Sequence, residues 1–409
     1  MSDLTSFRQK GAERLKEIGL PTRSHEAFRY VPLREFCLSS FKQPQEKKLD
    51  KTLFSSAILP ECIHSHIVFV DGIFSPHLSD LSALPEKTLL TSLEDFHGSF
   101  LQNALHRSLK EETDPFALLN LSTHPKGAFL YLPPKLNAAA PLQCLYVATE
   151  GDSALLSPRL HLALGAHSSL RCIFTTHGIG SHCAIPTLEI SLEDGAHLDL
   201  INIIDPSAVW HFETLRAQLK KNATLHSLSI GFGGKAVRQS YRVRLAGENS
   251  EAHLNGLFVL DDHRTAHTHA VIDHEAPHTR SLQKFKSVLN GHSQSSFEGK
   301  ILVRPEAQKT EAYQLNNNLL LSQGAIANSK PNLEVFADDV KASHGATISQ
   351  LDDEQLFYLN TRGIDQAMGR QLLINGFCGE MIGKIPYDSL LQKLNTSLKL
   401  SHYAASSRI

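Results

Sequence analysis

Histidine is the first candidate for chemistry in this chain, with 23 among 409 residues. Imidazole titrates near neutrality and ligates first-row metals, so such a surplus makes metal binding the first reading to test. His263, His267, His269, His274, His278 and His292 fall within thirty residues, interleaved with Asp262, Asp273 and Glu275. On a strand His267 and His269 share a face about 7 Å apart, from a rise of ~3.3 Å per residue, within reach of one ion. The competing reading makes these imidazoles side-chain ladders and turn contacts on a half-exposed face. His344 lies in Ser343-His344-Gly345-Ala346-Thr347, just after Asp338-Asp339. Its small neighbours leave room for a partner or an ion, although a lone histidine taken by itself reads as a structural residue.

Other motifs exclude more than they suggest. Gly231-Phe232-Gly233-Gly234-Lys235 resembles a phosphate loop, but Ser229 stands where the ATPase loop needs its first glycine and Ala236 follows the lysine. A dinucleotide loop would open a helix, whereas Val237 to Leu245 alternates as a strand; the glycines read as a tight turn. There is no Gly-x-Ser-x-Gly nucleophile elbow. Cys37, Cys62, Cys144, Cys172, Cys183 and Cys378 are dispersed without a Cys-x-x-Cys pair. That spacing argues against a four-cysteine zinc or cluster site within the chain and reads as reduced thiols in a cytosol.

The period of the apolar residues says what must position these groups. Leu4, Phe7, Ala12, Leu15 and Ile18 mark one face of an N-terminal helix, stopped by Gly19 and Pro21. Lys42 to Asp50 reads as loop, and His66 to Val70 as a short strand closed by Asp71-Gly72. Residues 85–120 return to helical spacing, with Leu101, Ala104, Leu105 and Leu109 on one side. From about residue 128 the period falls to two, as in Leu160-x-Leu162-x-Leu164, Leu188-x-Ile190-x-Leu192 and Tyr241-x-Val243-x-Leu245. Arg242 and Arg244 point the other way. Ala166, Ala196, Ala223 and Ala252 each follow a polar turn at separations of 30, 27 and 29 residues, the self-similarity of a solenoid. Asp352-Asp353-Glu354-Gln355 is a capping box opening a helix that Gly363 stops. Two more helices follow, about Asp365 to Cys378 and Asp388 to about Tyr403. The expected fold is mainly β with helical ends. A right-handed parallel β-helix core fills 126–350, between an N-terminal helical domain with a short strand segment over 1–125 and a C-terminal helical domain over 351–409.

Composition narrows the function classes. Forty Lys and Arg against 42 Asp and Glu give a net charge of −2, without the basic surplus of a nucleic-acid binder. Hydrophobic residues at 41% and charged residues at 20% are the balance of a globular chain. The first twenty residues lack the apolar stretch of a signal peptide, and nowhere do eighteen apolar residues run together to span a membrane.

From Pro331 to Phe377 the chain resembles the SufB/SufD family of iron–sulfur cluster assembly proteins. The matching residues are Pro331-Asn332-Leu333-Glu334-Val335, Ala337-Asp338-Asp339-Val340-Lys341, Ser343 to Thr347, Leu356-Phe357-Tyr358-Leu359, Arg362-Gly363-Ile364 and Gly376-Phe377. Upstream, His278-Thr279-Arg280-Ser281, Phe297-Glu298-Gly299 and Asn316-Asn317-Asn318 fit the same pattern. Near the start, Gly19 to Arg23 and Glu26-Ala27-Phe28-Arg29-Tyr30 resemble the SufD-branch motif, with Phe28 where that branch usually has Trp. The sulfur-accepting cysteine of the SufB branch falls at Asn316, and its Glu-His-Glu falls at Ser343-His344-Gly345. Both departures resemble the SufD branch. Ala342 stands where many relatives carry Cys.

The resemblance implies a non-enzymatic scaffold subunit, cytoplasmic, without nucleic-acid or membrane partners. SufB would pair with it through the β-helix core, and the ATPase SufC would dock on the C-terminal helical domain, with Phe357, Tyr358 and Arg362 as part of that dock. His344 would face the SufB seam, where transient iron and the nascent Fe–S cluster are held; the isolated chain would carry no firm cofactor and could form a homodimer. Two other functions stay open on the residues alone: a stand-alone His-rich metal-binding protein, and a β-helix carbohydrate-active enzyme needing two carboxylates at fixed separation.

Overall fold

The computed structural model describes residues 2–22, 25–47, 49–95, 110–124, 126–149, 153–178, 182–204 and 208–398. Two sheets, of ten and eleven strands among the described residues, run face to face along the chain. Successive strands alternate between the sheets, and each pairs in parallel with the strand one coil earlier, as His197–Ile204 does with Thr224–Gly231. The protein is a parallel β-solenoid with helices at its ends. Parallel strands bury both faces, which accounts for apolar residues on the outer as well as the inner side of many strands.

Like residues stack through the lumen. Leu162, Ile190, Ala217, Val243, Ile272 and Ile301 lie in register on neighbouring strands of one sheet, all at most 5% exposed. Burial of each large aliphatic member contributes roughly 1.5–3 kcal/mol. In the adjacent stack Leu164, Leu192, Leu219 and Leu245 are followed by His274. That imidazole is fully buried and bonded to the hydroxyls of Thr279 and Ser281, at 2.7 and 2.8 Å.

The coil corner explains the repeat. His167, Gly195, Asn222, Asn249, His278 and Lys309 all take positive φ, one per coil. Each donates its backbone N–H to a carbonyl on the next coil, as Asn222 does to Glu248 at 2.9 Å. The residue that follows is small or hydroxylated and buried: Ser168, Ala196, Ala223, Ser250, Thr279 and Thr310. Register therefore aligns Ala196 and Ala223 as expected, but places Ala166 and Ala252 two residues away from the equivalent corners. Serine fills the same space there, so matching alanine to alanine drifts out of phase. Gly247 permits close coil packing, since a Cβ on it would lie 2.0 Å from the Lys221 nitrogen. The Gly231 to Lys235 run is a turn between strands, with Gly233 at positive φ.

At the N-terminal side, α1 (Ser2–Ile18) packs on α2 (Pro115–Thr123), with Gly11 against Leu121. The expected helical spacing across 85–120 divides differently. Leu89–Ser92 is a strand antiparallel to Ala128–Leu132, so sheet pairing overrides its local pattern, and Asp114 caps α2 through the Phe116 N–H. Leu101, Ala104, Leu105 and Leu109 lie outside the described residues. Residues 25–41 and α2 cover the outer face of one sheet through Phe28, Phe36, Phe116, Trp210 and Phe212; the Phe116 and Phe212 rings stack at 3.7 Å. Arginines on that face, Arg242 and Arg244 among them, bind residues 111–114.

The C-terminal helices α3 (Asp353–Thr361), α4 (Gln366–Ile382) and α5 (Asp388–Leu398) follow the solenoid. Asp352 caps α3 by accepting from the N–H groups of Glu354 and Gln355, as the capping pattern predicts, and Gly363 at φ +83° ends the turn after it. Cys378, Met381, Ile382, Leu390 and Leu394 bury against Ile201, Leu228 and Leu257 on the outer face of the other sheet. Lys284 and Lys286 both bind Glu380 there and hold its carboxyl down to about 2.

Candidate functional site

The first end of the solenoid is finished by antiparallel strands, Ile73–Phe74 and Leu89–Ser92, while the other end is open. Its last strands, Ile326–Val335 and Lys341–Ser349, stand at the edges of their sheets. A ten-residue edge strand presents a row of unpaired N–H and C=O groups, which folded proteins normally shorten, charge or cover. Ile326, Val335, Phe336 and Ile348 are exposed at this end, Phe336 at 62%. Terminal coils of solenoids need a polar outer face to stay soluble alone, so this end has the character of a surface made to be covered.

Register fixes which residues face the lumen there. Phe285 belongs to the apolar interior and pairs with Asn316, which pairs with Ala346; on the same side Gln314 pairs with His344. His344 thus occupies a lumen position of the last coil and is exposed because no further coil lies over it. Beneath it the lumen filling changes from apolar to polar. Gln283, Gln314, Asn316 and Asn318 are all at most 3% exposed.

These amides bond to one another. Gln314 Nε2 donates to Gln283 Oε1 at 3.1 Å, Asn318 Nδ2 to Asn316 Oδ1 at 2.8 Å, and Asn316 Nδ2 to the Phe285 carbonyl at 3.2 Å. Gln283 Nε2 and Gln314 Oε1 have no partner among the described residues. A buried amide group left without a partner costs about 1–3 kcal/mol. Gly299 makes room for Gln314, whose Nε2 would lie 2.1 Å from a Cβ at that position. Nothing in the period-two pattern flagged this layer, because strand periodicity is read from apolar residues and these are amides.

The other sequence-predicted residues are spread out. Phe357 and Tyr358 on α3 are 70% and 58% exposed, and the Arg362 guanidinium lies 5.1 Å from the Tyr358 ring centroid. Met368 and Leu372 on α4 are also exposed. The segment from His263 to His292 does not gather a metal site among the described residues. His267 is buried and bonds to Ser296 at 2.7 Å, His274 fills the leucine stack, and His263 stacks on His292 at 5.1 Å. Ladder and turn contacts account for these imidazoles. All six cysteines are free thiols, and burial pushes Cys62 and Cys378 up to about 12, away from the reactive thiolate form.

Comparison with known proteins decides the family. Residues 146–377 match the SUF system FeS cluster assembly, SufBD core domain, and residues 1–144 match the SufBD protein N-terminal region. The chain belongs to the SufBD family. A SufBD family iron–sulfur cluster assembly protein of Synechocystis is 29% identical over 96% of this chain and 90% of its own length. The iron–sulfur cluster assembly protein SufD of Escherichia coli is 29% identical over 94% of this chain and 90% of its own. A SufBD family protein of Mycobacterium leprae reaches 33% over 62% of this chain and 69% of its own length. Within the family the chain is thus a SufD homologue, as the motifs around Asn316 and His344 lead one to expect. No helix among the described residues is long and apolar enough to cross a membrane.

Proposed function

We propose that this chain is a non-catalytic SufD-type scaffold subunit of a cytoplasmic assembly with SufB and the ATPase SufC. Its open solenoid end pairs with SufB, and its C-terminal helices receive SufC. The observation that carries the reading is the uncapped last coil, with its edge strands and exposed apolar side chains. A second solenoid end would continue both sheets and pair the free backbone groups of the edge strands. Iron and the nascent cluster are cargo of that seam. His344 is the side chain placed to meet them, as neutral imidazole binds ferrous iron without bringing a charge. Asn316, buried among amides, offers no thiolate, so persulfide handling falls to SufB. ATP hydrolysis falls to SufC, and closure of SufC subunits would move the helices against the seam as rigid bodies.

Co-expression with SufB and SufC from the same genome tests the assembly: a complex of one copy of this chain, one SufB and two SufC is expected. Recovery of this chain alone beside soluble, unbound SufB and SufC would overturn the reading. Within the assembled complex, His344→Ala is expected to leave partner binding intact and lower cluster yield at least about tenfold. An unchanged yield would remove His344 from the site. Phe357→Ala is expected to weaken SufC binding by about 2 kcal/mol, as loss of an exposed aromatic anchor does. Equal affinity in isothermal titration would place the dock elsewhere.

A further inference from the structure

A second cluster of metal-ligating side chains lies on the outer face of the sheet whose last strand carries His344. Asp199, His226 and His253 stand side by side on three successive coils, and His197 and Glu251 lie two residues before Asp199 and His253 on the same face. His226 is the centre of the array. Its Nδ1 is 3.1 Å from Asp199 Oδ1, and His197 Nε2 is 3.0 Å from that same oxygen. On the other side, His253 Nε2 is 2.8 Å from Glu251 Oε1, and the His226 and His253 rings stack at 4.9 Å. The donor atoms of His197, Asp199 and His226 lie within 4.8 Å of one another, and so do those of His226, Glu251 and His253. All five residues are half-buried. Asp199, His226 and His253 border a cavity of 280 Å³ whose far wall is Lys384, Pro386 and Tyr387, after α4.

We propose that His197, Asp199 and His226 bind one divalent first-row transition cation of the zinc class on this outer face. Two donors about 2.1 Å from one ion stand roughly 3.0–3.4 Å apart, which the two Asp199 contacts already match. Binding therefore needs the imidazole protons to leave and little movement of the side chains. Two imidazoles and a carboxylate select a borderline cation over calcium or magnesium, which take all-oxygen shells. Arg171 and Lys384 also line the cavity. Arg171 donates to the Ala139 carbonyl, and the Asp199 carboxylate lines the same cavity. The site joins two coils directly and a third through His253. It is four strands from the one bearing His344, about 19 Å at ~4.8 Å per strand, so its cation is distinct from any cargo at the open end.

The test uses the full-length chain alone, stripped of metal and titrated with cobalt(II), followed by its visible d–d absorption and by zinc competition. One equivalent bound with a low-symmetry nitrogen–oxygen spectrum is expected. His226→Ala, which removes the donor common to both triads, is expected to weaken binding about a hundredfold or more, and Asp199→Asn less severely. His292→Ala, outside the array, should leave the titration unchanged, and circular dichroism checks that every variant is folded. The proposal is overturned by no stoichiometric cobalt band, or by a band that survives both His226→Ala and His197→Ala. It is equally overturned by a band lost in His292→Ala. Because SufB and SufC are absent from the assay, its failure is separable from failure of the scaffold reading.

Discussion

Replacing Arg238 with alanine is expected to cost about 3–5 kcal/mol of stability, the range found when one member of a buried ion pair is removed. Arg238 Nη1 lies 2.5 Å from Asp114 Oδ2, both groups are almost inaccessible, and the guanidinium covers the Phe28 ring at 3.9 Å. Burial opposes ionisation of Asp114, yet the charges of Arg238 and Arg216 outweigh it and hold the carboxyl well below its usual range. Without Arg238 that carboxylate must stay charged with half its compensation or take up a proton. Its other oxygen also caps α2. The neighbouring Arg216–Glu112 pair, at 2.7 Å, makes the clamp a network that fastens residues 111–116 to the solenoid. Urea unfolding of Arg238→Ala measures the loss. The double variant Arg238→Met with Asp114→Asn keeps an N-cap, removes both charges, and is expected to recover most of it. A loss below about 1 kcal/mol in the single variant would show a solvated pair rather than a clamp.

The sequence makes the solenoid legible wherever the lumen is apolar. Leu160-x-Leu162-x-Leu164 and its successors alternate because parallel coils put every second residue inside, and the register confirms the alternation strand by strand. Corner chemistry was legible only in part. Gly195 and Asn222 announce left-handed backbone, but His167, His278 and Lys309 adopt it too. There the ladder to the next coil enforces a conformation that propensity alone disfavours. The sequence showed Arg242 and Arg244 pointing outward from a strand, and both bind Glu111, but it did not single out the clamp arginines Arg216 and Arg238. Their partners Glu112 and Asp114 are more than a hundred residues away in sequence, a distance no local pattern spans.

The candidate site was read from motif likeness around His344 rather than from spacing, and the amide layer beneath it was invisible because Gln314 and Asn316 break no rule of an exposed strand. The histidine array on the outer face did leave a trace. His226 and His253 are separated by 27 residues, one coil length, and His197 precedes His226 by one coil and two residues. That signal has meaning only once the coil length is known, whereas the dense run from His263 to His292 attracts attention for a local crowding that the coils then disperse.

Acid is expected to unfold this chain well above the pH at which its carboxylates titrate, because several imidazoles are buried in the neutral form. His124, His267 and His274 are all at most 3% exposed. Burial lowers all three, to about 3, about 3 and about 4, with Arg159 and Arg8 adding to the effect at His124 and Arg238 at His267. Asp273 acts in the opposite sense at His274 without reversing it. In the unfolded chain each titrates near 6.5. The folded values are the lower ones, so below about pH 6.5 the unfolded state binds protons that the native state refuses. Stability is fully present above that pH and falls as pH drops toward 3–4. Each such group contributes a slope of about 1.4 kcal/mol per pH unit, so the three together give roughly 4 kcal/mol per unit between about pH 5.5 and 4.5. His197, raised by its bond to Asp199, runs the other way and offsets a small part. The depressed carboxylates Glu112, Asp114 and Glu380 add their own loss only below about pH 4.5, where unfolded carboxyls protonate. Urea midpoints measured from pH 7 to 4.5 isolate the imidazole contribution. His274→Gln keeps an amide among the Thr279 and Ser281 hydroxyls and is expected to reduce the slope by about 1.4 kcal/mol per pH unit. A slope unchanged in that variant would mean that His274 already carries its proton in the fold, with its hydroxyl partners accepting rather than donating.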